Sequence, residues 1–371
     1  MQNKRFNIGL DGRFLYSKSF GGIQRYTLTL FDKISKLHNV FIFYPSSRPP
    51  HPEFLERIRG EKVRCYAPKV KLWEQLFLPY YLSKTKVEIF HTPCESGVPV
   101  AKTRAKKIFT VHGLPDLSLR YFNPTPRNII DLLIFYISLL SCDVCITVSE
   151  FSKREISRFF PVVGKKIRVI PDIVDAVFFE TKSNSDNTIL SRFKLYGKKY
   201  IMYVGNTEKH KNTVTLFKVF SKVREERKDI HTVAVLRGPS ESEMNNLKRA
   251  YSDTIFLSNL TDRELSVLYR NAFLYVSMSL HEGFGLPVAE SMACGTPAVL
   301  SNCGAMPEIA SDAAEYVSPY DVEGAVKKII ELSEKEKKRL EMSRRARKRA
   351  RIFSAESVIP KMLALYDELL L

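Results

Sequence analysis

The sequence predicts an α/β protein made of two doubly wound, Rossmann-like domains. Short, nearly continuous apolar segments alternate with helical ones along most of the chain, the pattern of parallel strands covered by helices on both faces. The alternation breaks at residues 181–188, TKSNSDNT, a polar stretch with little to bury, and then starts again. A chain of 371 residues also exceeds what one ordinary core holds.

In the first half, strands are expected at residues 6–10, 40–44, 63–66, 87–90, 107–111, 144–148 and 166–170. Helices are expected from about Ile23, across 72–82 and around 128–140. The second half opens with KKYIMYVGN at 198–206 and continues through HTVAVLRGPS, TIFLSNL, FLYVSMS, PAVLSN and AEYVSP. The expected domains are therefore 1–180 and 198–352, with the hinge in the polar stretch. Residues 334–351, EKEKKRLEMSRRARKRAR, read as a charged helix with a basic second half. Residues 353–371 carry apolar positions at helical spacing and need a surface to cover.

Composition narrows the class. A net charge of +18 implies attraction to something acidic; nucleic acid, anionic lipid and phosphate-bearing substrates all qualify, and charge does not choose among them. No apolar run reaches the roughly 20 residues that span a bilayer. The nearest, 129–140, is interrupted by Asp131. The start, MQNKRFNIGLDG, runs into a strand instead of a signal sequence, so a cytoplasmic protein is expected. The six cysteines, at 65, 94, 142, 145, 294 and 303, lie mostly in apolar segments, and reduced thiols are expected. Cys142 and Cys145 form a CxxC, but it enters a strand, whereas redox pairs use a helix N-terminus to lower a thiol pKa.

The chemistry concentrates in residues 273–301, FLYVSMSLHEGFGLPVAESMACGTPAVLS, which read as strand, loop, helix, strand. Pro287 suits the first helical turn, where its missing N–H costs nothing. The free N–H groups and the positive end of that helix favour a phosphate, and the glycines at 283 and 285 let backbone approach it. Glu282 and Glu290 would repel a lone phosphate. They make sense where sugar hydroxyls flank it, as in a nucleotide sugar.

The pattern Glu, seven residues, Glu, written EGFGLPVAE, resembles the donor-site signature of the retaining family 4 glycosyltransferases of the GT-B fold. The resemblance covers nearly the whole chain, and it implies two Rossmann-like domains facing a deep cleft. It implies that Glu282 faces the transferred sugar and Glu290 holds the ribose, with Phe284, Gly285 and Leu286 on the donor side between them. It also implies that the last helix, 353–371, returns to complete the first domain.

Other motifs follow the same resemblance. In GLDGRFLYSKSFGGIQRYTLTL, Gly21 and Gly22 join a strand to a helix, similar to the amino-terminal glycine loop of mannosyltransferase-like members, with Gln24 in place of the second Gly. This leans toward mannose carried by GDP, and the spacing is not the GxGxxG of a nicotinamide site. His112 in FTVHGLPD matches a family His that contacts the transferred sugar. Ser149 and Glu150 in TVSEFSKREI border the acceptor side, Ser149 also reading as a helix N-cap. In YVGNTEKHKN, Gly205 and Lys211 match, but Asn206 stands where an Arg is usual, leaving Lys209 or Arg237 as substitutes in the leaving-group clamp; Asn212 is expected to cap the next helix. Ser258 and Leu260 lie where the family reads the base through its backbone, and SNCGAMPEIA, with Gly304 and Glu308, completes the pattern.

There is no Asp-x-Asp and no metal-ligand spacing, so no metal or other cofactor is expected beyond the nucleoside diphosphate sugar itself. The catalytic set is then Glu282, His112 and Lys211. The resemblance implies transfer of a hexose to a hydroxyl of a glycan or lipid-linked acceptor, with the basic face drawn to the inner leaflet. Two other readings stay open: a GT-B enzyme such as an epimerase that does not transfer, and a basic protein binding nucleic acid or a membrane surface through residues 344–351.

Overall fold

A computed structural model describes residues 5–16, 21–67, 70–93, 97–119, 121 and 123–371. The expected features at residues 17–20 and at Cys94 lie outside the described residues. The chain divides into two compact units, Met1–Ile173 with Ala355–Leu371, and Val174–Ser354.

The first unit is built on seven parallel strands: β1 (Asn7–Asp11), β2 (Asn39–Pro45), β3 (Glu61–Cys65), β4 (Ile89–Thr92), β5 (Lys106–Val111), β6 (Val144–Thr147) and β7 (Ile167–Val169). Their order is β3-β2-β1-β4-β5-β6-β7, so the strand order reverses between β1 and β4. Strand residues alternate between two cores. On one face Ile8, Leu10, Ile89, Ile108 and Ile146 meet Tyr26, Leu30 and Ile34 of the helix Gly22–Leu37. Val358, Met362 and Tyr366 of the helix Ala355–Leu370 close the same core. On the other face Phe43 and Phe90 pack on Trp73, Leu78 and Leu82, while Phe109 and Val111 pack on Phe135, Leu139 and Ile156.

The helix expected across residues 72–82 is interrupted. A π turn at Trp73–Phe77 separates Val70–Leu72 from Leu78–Lys84. Pro79 has no N–H to donate back along an α-helix, which loosens the ladder into a wider turn.

The second unit carries six parallel strands: β8 (Lys199–Gly205), β9 (Ile230–Leu236), β10 (Thr254–Ser258), β11 (Leu274–Ser277), β12 (Ala298–Ser301) and β13 (Ala314–Val317). Their order is β10-β9-β8-β11-β12-β13, so this sheet reverses between β8 and β11. Ile201, Tyr203, Ala234, Leu236 and Val276 form its core with Leu216, Phe217 and Phe220 of the helix Thr213–Glu226.

The polar stretch 181–188 is not a free linker. Asp186 opens the helix Asp186–Arg192 and is buried, its carboxylate accepting hydrogen bonds from Arg270 at 2.7 and 2.8 Å and from Asn271 at 2.9 Å. The division between units falls earlier, at Ile173. The buried Asp186–Arg270 ion pair helps anchor the segment, which composition does not reveal.

Much of the basic helix Glu336–Ala350 is also used internally. Arg347 donates to the carbonyl of Cys294 at 2.8 Å, Arg349 to those of Glu308 and Ile309, and Arg345 pairs with Asp312. Cations here satisfy the last carbonyls of two other helices, where the dipole favours positive charge. That weakens the reading of 344–351 as a nucleic-acid or membrane patch.

Cys65, Cys142, Cys145, Cys294 and Cys303 are free thiols, and the first four are buried. Burial pushes the Cys142 thiol up to about 12, opposite to the shift a redox pair needs. Among the described residues, no helix is long and apolar enough to cross a membrane.

Candidate functional site

In the second unit the candidate site grows out of the point where the sheet reverses, since ligands of doubly wound sheets bind beyond the carboxyl ends of strands there. Two segments leave that point side by side. After β8 comes the short 3-10 turn Lys209–Lys211; after β11 comes the loop that enters the helix Leu286–Ala293. They are tied by a hydrogen bond from Leu280 N to His210 O at 2.7 Å. Asn212 strengthens the tie. It occupies the N-cap position with φ 50° but makes no side-chain cap bond; its amide donates instead to the carbonyls of Met278 and Pro319 at 3.0 and 2.7 Å.

Lys211 and Glu282 meet across this junction. The Lys211 Nζ donates to both Glu282 oxygens at 2.8 Å, with the two side chains 17% and 13% exposed. Burial alone would raise the Glu282 pKa. The Lys211 charge and its hydrogen bonds, helped by His210 and a hydrogen bond from Ser279, outweigh it and hold the carboxyl below its ordinary value. Glu282 is therefore an ionised acceptor, as contacts to sugar hydroxyls require.

Two glycines fix this geometry by what they lack. Gly304 has φ +64°, and a Cβ there would stand 2.5 Å from Glu282 N and 2.8 Å from Glu282 O. The next residue, Ala305, donates its N–H to Glu282 O at 2.8 Å. The backbone of Glu282 is thus seated against the loop after β12. Gly285, at φ +87°, is the N-cap of the Leu286–Ala293 helix and offers no side chain to its first N–H groups.

Glu290 lies one turn and a half into that helix and is 1% exposed. Its Oε2 accepts from the Tyr269 hydroxyl at 3.2 Å and faces Arg237 at 3.7 Å. Arg237 leaves the end of β9, its N–H donating to Gly205 O at 2.9 Å. To reach a helix that follows β11, its guanidinium spans the width of β8. Gly205 itself has Tyr203 beneath it: a Cβ would fall 2.1 Å from the Tyr203 hydroxyl, which donates to Asn206 O at 3.0 Å.

The remaining donor-side candidates are placed differently from one another. The Asn206 Oδ1 accepts from Glu208 N at 3.3 Å, a local turn contact. Ser258 ends β10, two strands from β8, which at about 4.8 Å per strand is roughly 10 Å along the sheet. Leu260 follows it in the adjoining loop. The side chains of Phe284 and Leu286 are both buried, and the Phe284 ring stacks edge-on against Phe353 at 5.1 Å. Only their backbone is left for a donor, because the loop uses these side chains to anchor itself in the core.

Gly21, Gly22, His112, Ser149 and Glu150 belong to the first unit. A Cβ on Gly22 would meet nothing within 4 Å, while one on Gly21 would meet the Gln24 side chain at 2.6 Å. His112, at the end of β5, turns Nε2 to the Pro93 carbonyl at 2.9 Å and Nδ1 to Asp172 at 3.4 Å, with its ring edge-on to Tyr26. Ser149 is buried and accepts from Ser152 N at 3.0 Å, the geometry of an N-cap. Glu150 is half exposed in the first turn of that helix.

Sequence reasoning missed Ser279 and Tyr269 and gave Gly304 no role toward Glu282. Gly304 had a signal, a glycine just beyond a predicted strand. Tyr269 had none, because a tyrosine inside an amphipathic helix reads as core.

Two family models match the chain: Glycosyltransferase Family 4 over residues 20–178, and Glycosyl transferases group 1 over residues 187–349. Among curated proteins, the chain is 25% identical over 321 residues to O-antigen chain mannosyltransferase B of Escherichia coli, covering 82% of this chain and 79% of that protein. It is 29% identical over 204 residues to the O-antigen chain mannosyltransferase RfbU of Salmonella typhimurium, a match that spans about half of either chain, 53% of each. Among solved structures, HepE of Anabaena in complex with UDP-glucose superposes with a TM-score of 0.77 at 14% identity, over 98% of this chain and 100% of that one.

Proposed function

The chain belongs to the family 4 glycosyltransferases of the GT-B fold, and from that premise we propose that it is a retaining mannosyltransferase, moving the sugar from a nucleoside diphosphate donor to a hydroxyl of a glycan or lipid-linked acceptor. The mannosyltransferase relatives and the GGIQRY loop support the choice of sugar. The observation that carries the reading is the Lys211–Glu282 pair, set beside a helix start with no side-chain cap, where the sheet reverses.

In this reading the diphosphate rests against the first turn of the Leu286–Ala293 helix. Lys211 and Arg237 supply the charge that stabilises it as the bond to the sugar breaks, Arg237 acting from β9 in place of the Arg that Asn206 lacks. Glu282 accepts hydrogen bonds from the mannose hydroxyls and stabilises the positive charge that develops at the anomeric carbon. The bond from that carbon to phosphate oxygen breaks, the acceptor oxygen bonds on the same face, and its proton passes to the departing phosphate. Side-chain cations do the work without a metal. Gly21 and Gly22 serve the donor through their backbone, and His112 serves the acceptor side as a positioned contact and not a proton carrier.

A thermal-shift screen of nucleotide sugars tests the donor. A true donor at 100 times its dissociation constant stabilises by about 2.7 kcal/mol. Transfer to an acceptor, followed by NMR of the new anomeric centre, then tests retention. Donor turnover without acceptor would move the assignment to an epimerase-like enzyme, and no stabilisation by any hexose donor would overturn it.

A further inference from the structure

We infer, resting on the proposed role of His112 as an acceptor-side contact, that Asp172 is a positioning residue for transfer. It keeps both ring nitrogens of His112 protonated, so that the ring gives a hydrogen bond to the acceptor hydroxyl and never takes that hydroxyl's proton.

The fold brings Asp172 to the ring from a distance. It lies three residues beyond β7, whereas His112 follows β5 directly, and two strand spacings of about 4.8 Å separate β7 from β5 in the sheet. The backbone on either side is pinned. Ile170 still donates its N–H to Thr147 O of β6 at 2.9 Å, and Ile170 and Ile173 are buried in the same core as Tyr26. Pro171 fixes φ between them. Asp172, the polar residue in this apolar stretch, is 5% exposed.

A carboxylate so buried is costly unless a charge or a donor compensates it. Among the described residues no hydrogen bond reaches its Oδ1; the group facing it is His112, whose Nδ1 lies 3.4 Å away. On the other edge of the ring, Nε2 meets the Pro93 carbonyl at 2.9 Å. A carbonyl and an ionised carboxylate both accept and never donate. A neutral imidazole has one N–H and one lone pair, so it would turn its lone pair on one of these two acceptors. The imidazolium, with an N–H at each nitrogen, suits both and supplies the buried carboxylate with a counter-charge.

The titratable groups packed around the pair leave that charge in place. Tyr26, from the helix Gly22–Leu37, sets its ring edge-on to His112 at 5.0 Å. Burial raises the Tyr26 phenol above its ordinary value, and the Asp172 charge adds to this, so it stays neutral. His91, on β4, is buried with Nε2 2.7 Å from the Thr110 hydroxyl, and burial, then the His112 charge, pushes it down to about 3. A doubly protonated ring has no lone pair to receive a proton. Its Nε2–H, resting on the Pro93 carbonyl, is the donor that an acceptor oxygen shares. That hydroxyl then keeps its own proton for the departing phosphate, as the same-face reaction requires, and no proton moves onto or off the ring.

The test reads the ring itself. Long-range nitrogen–proton NMR of the histidines in the ¹⁵N-labelled full chain at neutral pH, with His112 assigned by its loss in His112→Gln, should show both His112 nitrogens protonated. In Asp172→Asn one nitrogen should lose its proton, because the Asn amide donates to Nδ1 and a neutral ring is then satisfied. The same variant should lower kcat for transfer by about tenfold to a hundredfold, while the thermal shift produced by the donor is unchanged. A neutral His112 in a parent chain that transfers sugar overturns the inference alone. So does a ring that stays doubly protonated in Asp172→Asn, or a ring that turns neutral there with kcat intact. A parent chain that transfers sugar from no donor would instead sink the function from which the role of His112 is taken, whatever the ring signals show.

Discussion

Lys211 Nζ lies 2.8 Å from both carboxylate oxygens of Glu282, joining the turn after β8 to the loop after β11 across 71 residues of sequence. The pair keeps an ionised carboxylate beside a cation at the point where the sheet reverses, and in the proposed function each exchanges this partner for a part of the donor. Glu282→Gln keeps the shape and removes the charge. It should lower kcat for transfer by about 10²–10³ and should also remove the stability the ion pair contributes at neutral pH; near-normal turnover would remove Glu282 from the mechanism.

The pair also predicts a pH dependence. The Glu282 pKa is below its ordinary value of 4.5 in the folded chain, and Asp186, held by Arg270 and Asn271 against the cost of burial, is shifted the same way from 3.8. As pH falls, the unfolded chain takes up these protons first, so the stability the two carboxylates contribute is whole above the ordinary carboxylate range and is lost through the depressed values. Burial also holds His91, His38 and His231 below the ordinary histidine value, so thermal unfolding should begin to fall below about 6.5 as the unfolded chain protonates them, and should fall more steeply below 4 as these carboxylates titrate. In Lys211→Met the buried carboxylate loses its partner, so the melting temperature should be lower at neutral pH and its acid slope shallower. An acid slope identical to the parent chain would show that the pair contributes nothing.

Gly304→Ala should damage the site without touching any charged residue. The new methyl group would meet the Glu282 backbone at 2.5 Å from a left-handed conformation. The expected cost is about 1–3 kcal/mol of stability, read by urea denaturation, together with a drop in transfer that Gly295→Ala, at a similar φ of +77° but beside Arg347, should not reproduce in kind.

Arg237→Gln tests whether β9 supplies the missing cation. Loss of charge near the leaving phosphate should lower kcat by about tenfold or more, with a rise in KM for the donor. Unchanged kinetics would leave Lys211 to act alone.

Asp186→Asn should destabilise the second unit by up to about 3 kcal/mol, because it removes the nearer counter-charge of the Arg270 guanidinium, whose side chain is 3% exposed, and leaves Glu180 at 3.8 Å. A neutral effect in urea would mean that the segment is held by packing and not by this ion pair.

Legibility followed the range of the interactions. The helix Leu286–Ala293 and the strands on either side could be read directly, because apolar runs, glycine joints and Pro287 act over a few residues. The π turn at Trp73–Phe77 was hidden in an unbroken helical pattern, though Pro79 was its local cause. Lys211 and Glu282 were each named from a motif, but nothing in either motif says that they touch. Phe284 looked like a ligand contact because it lies between the two glutamates, and only packing against Phe353 shows which way it turns.

By itself, then, the sequence determined the α/β class, the alternation that makes two parallel sheets, and the types of chemistry the loops can offer. Those follow from periodicity and backbone preference, which each residue carries with it. Which polar groups pair, that a polar stretch is anchored through Asp186, that cations at 345–349 cap other helices, and that the loop at Gly304 seats Glu282 were decided by tertiary structure. Such contacts join residues tens of positions apart, and their free energy exists only once the sheets have brought those residues together.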